Sequence, residues 1–187
     1  MKKALLIFLA ALILCSCFSA CSTDNEAETL AKKAFEIVTL YASNSETEIL
    51  TKEFKDATIG KEAVDGWLET NLKYSDYKDK YAEIFDADTL DYFLEFTSKD
   101  VEGVLYIPQR NIEKSEEISN VKASFSKTDG NGNSVFRLEY DSKDLNPNFA
   151  SEINSHFNRE ITLVKTDGGF RVNILTIMFN AFQNAIA

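Results

Sequence analysis

One histidine, two prolines and seven glycines occur in the 187 residues, and no cysteine follows Cys21. Each scarcity closes off a class of function. With His156 alone, a multi-histidine zinc site or a histidine-based catalytic pair has at most one member. A chain body without cysteine holds no thiol nucleophile, no thiolate zinc site and no disulfide framework. So little proline and glycine excludes collagen-like and low-complexity chains. Basic residues are also few, 20 Lys and Arg against 30 Asp and Glu, for a net charge of −10. A nucleic-acid partner needs a basic face, so none is expected. No serine sits in a Gly-x-Ser-x-Gly elbow, and no glycine-rich phosphate loop opens a helix. What remains is an ordinary globular composition, 44% hydrophobic and 27% charged.

The N-terminus is unlike the rest. Lys2 and Lys3 precede Ala4 to Leu14, eleven apolar residues without interruption. Small residues and Cys15, Cys17 and Cys21 follow. A basic start, a short apolar core and small residues are the parts of a secretory signal. Counted through to Ala20 the apolar stretch reaches the lower limit for a spanning helix, which leaves an uncleaved anchor as an alternative. A plain signal peptide that happens to hold cysteines is another. The segment resembles the signal of bacterial lipoproteins, in which small residues precede a cysteine that is lipidated and becomes the mature N-terminus. Ser19-Ala20-Cys21 matches next to the cysteine, with Phe18 in place of the usual leucine. Leu14-Cys15-Ser16-Cys17 is the competing frame. The resemblance implies lipidation at Cys21, or alternatively at Cys17, and a protein held by lipid at the extracytoplasmic face of the cell membrane. Two acyl chains suffice for stable attachment. Removing residues 1–20 takes Lys2 and Lys3 with it. Twenty basic residues become 18 against 30 acidic, a net −12. Residues 21–28 read as an acidic tether, and 29–187 as one domain.

Helical spacing dominates up to about residue 98. Leu30, Ala34, Ile37, Val38 and Tyr41 share one helical face, with Asp24 or Asn25 as the cap. Ser45 with Glu48 predicts a capping box for a second helix, which Gly60 ends. Val64, Trp67, Leu68 and Leu72 predict a third helix. Tyr74, Tyr77, Tyr81 and Ile84 predict a fourth, with a tyrosine face only half buried. Asp88 is placed as the cap of a short fifth helix bearing Leu90, Phe93 and Leu94, although Tyr92–Thr97 also reads as a strand. After Gly103 the period falls to two. Val104–Ile107 ends at Pro108, as an edge strand or a strand end does. Val121, Ala123 and Phe125 alternate, Asp129–Asn133 is a turn, and Phe136, Leu138 and Tyr140 alternate again. A connection spans 144–158 and holds Asn146-Pro147-Asn148 and a solvated His156. Ile161 and Leu163, a turn at Asp167-Gly168-Gly169, and Phe170–Ile174 complete an antiparallel meander. Leu175, Phe179, Phe182 and Ile186 return to helical spacing. The fold class expected is α+β, with N-terminal helices on a curved antiparallel meander and a short C-terminal helix.

This order of elements resembles small bacterial lipoproteins with an NTF2-like, or cystatin-like, domain. The most specific match is Lys165-Thr166-Asp167-Gly168-Gly169-Phe170-Arg171-Val172, which resembles their final hairpin, with Phe170 where tryptophan is usual. Enzymes of that fold place a carboxylate and a tyrosine in a cone-shaped cavity. No such pair can be assigned to numbered residues, so the resemblance carries over no catalytic residue.

Two acidic groups invite a calcium reading. Asp86, Asp88 and Asp91 would put Leu90 at a ligand position. Asp129, Asn131 and Asn133 would put Tyr140 where a bidentate glutamate belongs. A helix cap and a hairpin turn explain them better, and neither a metal nor a cofactor is expected. The aromatic residues between 67 and 106 are the other notable group. Trp67, Tyr74, Tyr77, Tyr81, Tyr92 and Tyr106 are candidates for a pocket or partner surface, with an ordinary core as the competing reading. The functional expectation is a non-catalytic binding or interaction module at the membrane, taking a protein partner or a small apolar ligand, and dimerising through an exposed sheet face. The alternatives are an enzyme of ketosteroid-isomerase type in the same fold, with an Asp or Glu base and a Tyr donor, and an accessory solute-binding lipoprotein.

Overall fold

A computed structural model describes residues 25–110, 116–145 and 154–185. The signal segment, Cys17, Cys21, Asp24, Ile186 and the Asn146-Pro147-Asn148 turn lie outside them. The protein is α+β, with five helices and two antiparallel sheets among the described residues. Among the described residues no helix is long and apolar enough to cross a membrane.

Helix α1 spans 25–43 and buries Ala27, Ala31, Ala34, Phe35, Val38 and Tyr41. The last four residues assigned to the tether are therefore helical. The acidic Glu28 pairs with Lys32 one turn on, at 2.8 Å, and acidic side chains at a helix start suit the helix dipole. Helix α2 is Glu46–Glu53, with Ser45 as N-cap residue, but the serine side chain makes no capping bond. The helix stops well before Gly60 because the backbone there is already committed to a strand. Gly60 donates to the Glu69 carbonyl at 2.8 Å, and Asn71 to that of Thr58 at 3.1 Å.

The third helix expected is instead strand β1, Trp67–Lys73. Leu68, Thr70 and Leu72 alternate with the exposed Glu69, Asn71 and Lys73. Leu68 and Leu72 thus fit both periods over this short run, whereas Trp67 fits the helical one alone. What decides is the turn before it. Asp65 and Gly66 both have positive φ, 51° and 81°, which reverses the chain tightly enough for Val64 and Trp67 to bond each other's backbone at 2.8 and 2.9 Å.

Helices α3, Tyr74–Ala82, and α4, Ala87–Thr97, follow. The cap of α4 is Asp86 rather than Asp88; its carboxylate accepts from the Thr89 N–H at 3.0 Å. Strands β2, Lys99–Val101, and β3, Val104–Pro108, make a hairpin. Glu102 and Gly103 form its turn at φ 55° and 85°. With β1 these strands form a separate three-stranded sheet of order β1-β3-β2, which the expectation of one meander does not include. Pro108 ends β3, as its missing N–H requires.

The meander is β4, Glu116–Thr128; β5, Ser134–Asp144; β6, Asn154–Thr166; and β7, Gly169–Asn173, in that order. Two register shifts in the β4–β5 pairing bend the sheet. Strand β6 starts at Asn154, so His156 lies in a strand and not in a connection. Phe157, Ile161 and Leu163 lie on one side of it, a period-two row that begins earlier than Ile161 alone suggests. Helix α5, Leu175–Ala185, closes the chain. It buries Met178 and Phe182 and leaves Phe179 49% exposed.

One cluster joins the helices to the inner face of the meander through Phe35, Val38, Phe93, Phe136, Leu138, Ile161, Leu163, Val172, Met178 and Phe182. The α3–α4 junction is clasped to β7. Val172 donates to the Ile84 carbonyl at 2.8 Å, and Asp86 to that of Val172 at 3.1 Å. Arg171 Nε donates to the Ala82 carbonyl at 2.7 Å, and Asn173 Nδ2 to the Asp86 carboxylate at 2.7 Å.

Candidate functional site

The six aromatic candidates do not converge on one pocket. Tyr77 and Tyr81 on α3 meet Tyr41 of α1 in the core, each 1% exposed or less, so the tyrosine face is not half buried; only Tyr74 is. The hydroxyls form a chain. Tyr41 and Tyr81 lie 2.8 Å apart, and Tyr77 reaches both Tyr41 at 3.2 Å and Thr97 Oγ1 at 2.9 Å. Thr97 passes its own proton to the Phe93 carbonyl at 2.8 Å. Burial raises the pKa of all three phenols above the ordinary tyrosine value, so they stay neutral donors in any physiological medium. The chain satisfies polar atoms that an apolar core would otherwise strand.

The other four are dispersed. Trp67 and Tyr106 lie on the outer side of the small sheet, where Tyr106 is opposite both Glu69 and Lys99. Lys99 Nζ stands 5.9 Å from the Trp67 ring. Tyr92 is half buried against Phe179 and Phe182 of α5, at 5.8 and 6.3 Å between rings. Tyr74 lies beside the β2–β3 turn, in a shallow surface depression with Lys73, Asp100 and Glu102.

A buried ion pair is the least expected feature. Glu46, in the first turn of α2, is 0% exposed. Its carboxylate is 3.2 Å from the guanidinium of Arg110, which is 18% exposed and follows β3. Arg110 also donates to the Phe96 carbonyl and lies 3.7 Å over the Phe96 ring. Burial pushes Glu46 up to about 7, against the opposing pull of Arg110. It also lowers the Arg110 pKa, against the pull of Glu46. Glu46 shares a helical stripe with Ile49 and Leu50, which is the sequence signal that it points inward. Nothing in the sequence around Arg110 announces its partner.

The most enclosed of these spaces lies elsewhere. A groove of about 440 Å³ opens between α1, α5 and the inner rows of β4, β5 and β6. Phe35, Ile177, Ala181, Ile118, Tyr140 and Phe157 make its apolar walls. Phe35 and Tyr140 stand 4.6 Å apart between ring centroids, and Tyr140 stacks on Phe157 at 5.2 Å and 19°. Thr39, Thr176, Asn180, Arg159 and Glu160 supply polar groups. This volume lies within the usual range for small-molecule sites, about 300–1,000 Å³. None of these residues belongs to the predicted group between 67 and 106. Tyr140 was legible as a strand residue, but Phe157 fell in the supposed connection and Phe35 lies off the predicted face of α1.

On the far side of the sheet, His156 Nδ1 lies 2.8 Å from Asp141, whose other oxygen accepts from Asn120 Nδ2 at 2.7 Å. Those bonds, with Asn120 first, hold the Asp141 carboxyl below the usual range. Asp129 accepts the N–H groups of Asn131 and Asn133 at 2.8 and 2.9 Å, as a hairpin turn and not a calcium loop. Among the described residues no group of three or more His, Cys, Asp or Glu side chains could hold a metal. No protein-family model matches this chain, and no curated protein matches it either.

Proposed function

We propose that the protein is a lipid-anchored, extracytoplasmic binding module of NTF2-like type that takes a small, largely apolar ligand without transforming it. The observation that carries this is the groove, where stacked aromatic walls meet a sparse set of polar groups. The lipobox-like segment at Cys21 supports the anchor. The isomerase alternative needs a carboxylate and a tyrosine that a substrate can reach. The groove does hold Tyr140 and Glu160, but the Glu160 carboxylate is paired with Lys127 at 3.1 Å, while Glu46 and Tyr77 are fully buried in the core.

Each half of the proposal has its own test. Cys21→Ala is expected to lose acyl labelling and to leave the membrane fraction; labelling that persists and disappears only in Cys17→Ala moves the anchor to Cys17. For the binding half, the full chain in lipid nanodiscs is dialysed against 1-naphthaleneacetamide, a neutral probe with a flat apolar body. Saturable uptake above that of empty nanodiscs is expected. Ile177→Trp, which fills the groove, should reduce it at least tenfold, and Ala181→Leu serves if the tryptophan variant does not fold. Absence of saturable uptake overturns the binding reading.

A further inference from the structure

The inner row of β6 runs Phe157, Arg159, Ile161, Leu163, since alternate residues of a strand share a face. Arg159 interrupts an otherwise apolar row. Its position is fixed by pairing with Leu138, which is 0% exposed, while Phe157 pairs with Tyr140. The guanidinium lies 5.3 Å from the centre of the Phe157 ring, so it caps the wall formed by Tyr140 and Phe157. Among the described residues Arg159 forms no ion pair. The adjacent carboxylate, Glu160, pairs with Lys127 at 3.1 Å. Among the described residues, the groove therefore presents Arg159 without an ion-pair partner, beside a flat apolar wall, in a protein whose net charge is −10.

From this we infer that the groove selects amphipathic organic carboxylates, with the apolar body against Tyr140 and Phe157 and the carboxylate on Arg159. The inference rests on the groove being the binding site. Guanidinium suits the anion because its planar fork matches a carboxylate with two parallel donors. The contact of the guanidinium with the Phe157 ring, 5.3 Å from its centre, places the fork beside the apolar wall before the ligand arrives, which reduces the ordering cost of binding.

The test compares 1-naphthaleneacetate with 1-naphthaleneacetamide on the full chain in nanodiscs, by equilibrium dialysis at low and moderate salt. The acid is expected to bind about tenfold more tightly than the amide at low salt. Arg159→Gln should bring the acid-to-amide ratio close to one, and Arg159→Lys should retain part of the preference. Addition of salt should reduce the ratio in the parent protein and leave it unchanged in Arg159→Gln. Equal binding of acid and amide by the parent, or a preference for the acid that survives in Arg159→Gln, overturns the inference while the binding reading stands. Failure of both probes to bind overturns the two together.

Discussion

Phe93→Ala is expected to destabilise the protein by about 4 kcal/mol, within the range for truncating a fully buried phenylalanine. Phe93 is 0% exposed and stands at the centre of the aromatic core. Its ring lies 4.9 Å from that of Tyr41, 4.6 Å from Tyr81 and 5.3 Å from Phe85, with Tyr77 and Phe182 at 6.3 and 6.5 Å. These rings come from α1, α3, α5 and the α3–α4 junction, so the cavity would have walls that cannot collapse independently. The effect should exceed simple loss of hydrophobic area. Truncation also removes the packing that holds the Tyr41–Tyr77–Tyr81 hydroxyl chain in register. Urea unfolding measures it directly. In a domain of this size the midpoint of thermal unfolding should fall by about 8–16 °C. A loss below about 1 kcal/mol would show that the rings repack around the gap.

The second large effect depends on pH. Arg110→Met is expected to cost about 3–5 kcal/mol at pH 8, because it leaves Glu46 buried and ionised without its counter-charge. At pH 5 the cost should be much smaller, since the carboxyl is then mostly protonated. The direction follows from the folded-state pKa of about 7, against an ordinary 4.5. The folded protein holds this proton more tightly than the unfolded chain. The stabilising contribution is therefore fully present below about pH 4.5 and is lost as pH rises through 7, with a span of about 3 kcal/mol. Glu46→Gln should flatten that part of the profile. Urea unfolding of the parent and both variants at pH 5 and pH 8 decides the matter. Equal costs for Arg110→Met at the two values would show that Glu46 remains charged throughout.

The two hairpins with strong turns, Asp129–Asn133 and Asp167–Gly169, were plain in the sequence because glycine and asparagine favour tight reversals there. Helices α1 and α3 were equally plain, since each carries an apolar stripe over at least two turns, whereas the α4 segment also read as a strand over Tyr92–Thr97. Strand β1 imitates a helix because Leu68 and Leu72 satisfy both periods, and only the Asp65-Gly66 turn distinguishes them. The interior tyrosines were expected to be half buried because few aliphatic residues share their helical face. They are buried because Tyr41, 36 residues from Tyr77 and 40 from Tyr81, joins them in one hydrogen-bonded chain. The groove was illegible for a related reason. Phe35, Tyr140 and Phe157 come from three elements far apart in sequence, and only the sheet register brings them together. Arg159 gave no signal at all, since a charged residue after Asn158 in a strand of mixed pattern reads as solvent-facing.

The clasp between the α3–α4 junction and β7 has a bearing on the order of folding. Its side-chain bonds span 87 and 89 residues of sequence, whereas each strand of the meander pairs with its neighbour in the chain. Local pairings form early and distant ones late, because loop closure must precede the reward of contact. Helix α4 keeps its cap without β7, but Ile84 and Asp86 lack their backbone partners until Val172 arrives. Phe93 likewise awaits Phe182. The core therefore cannot lock until the last two elements have been synthesised. Until β7 and α5 arrive, the aromatic interior around Phe93 stays unsealed.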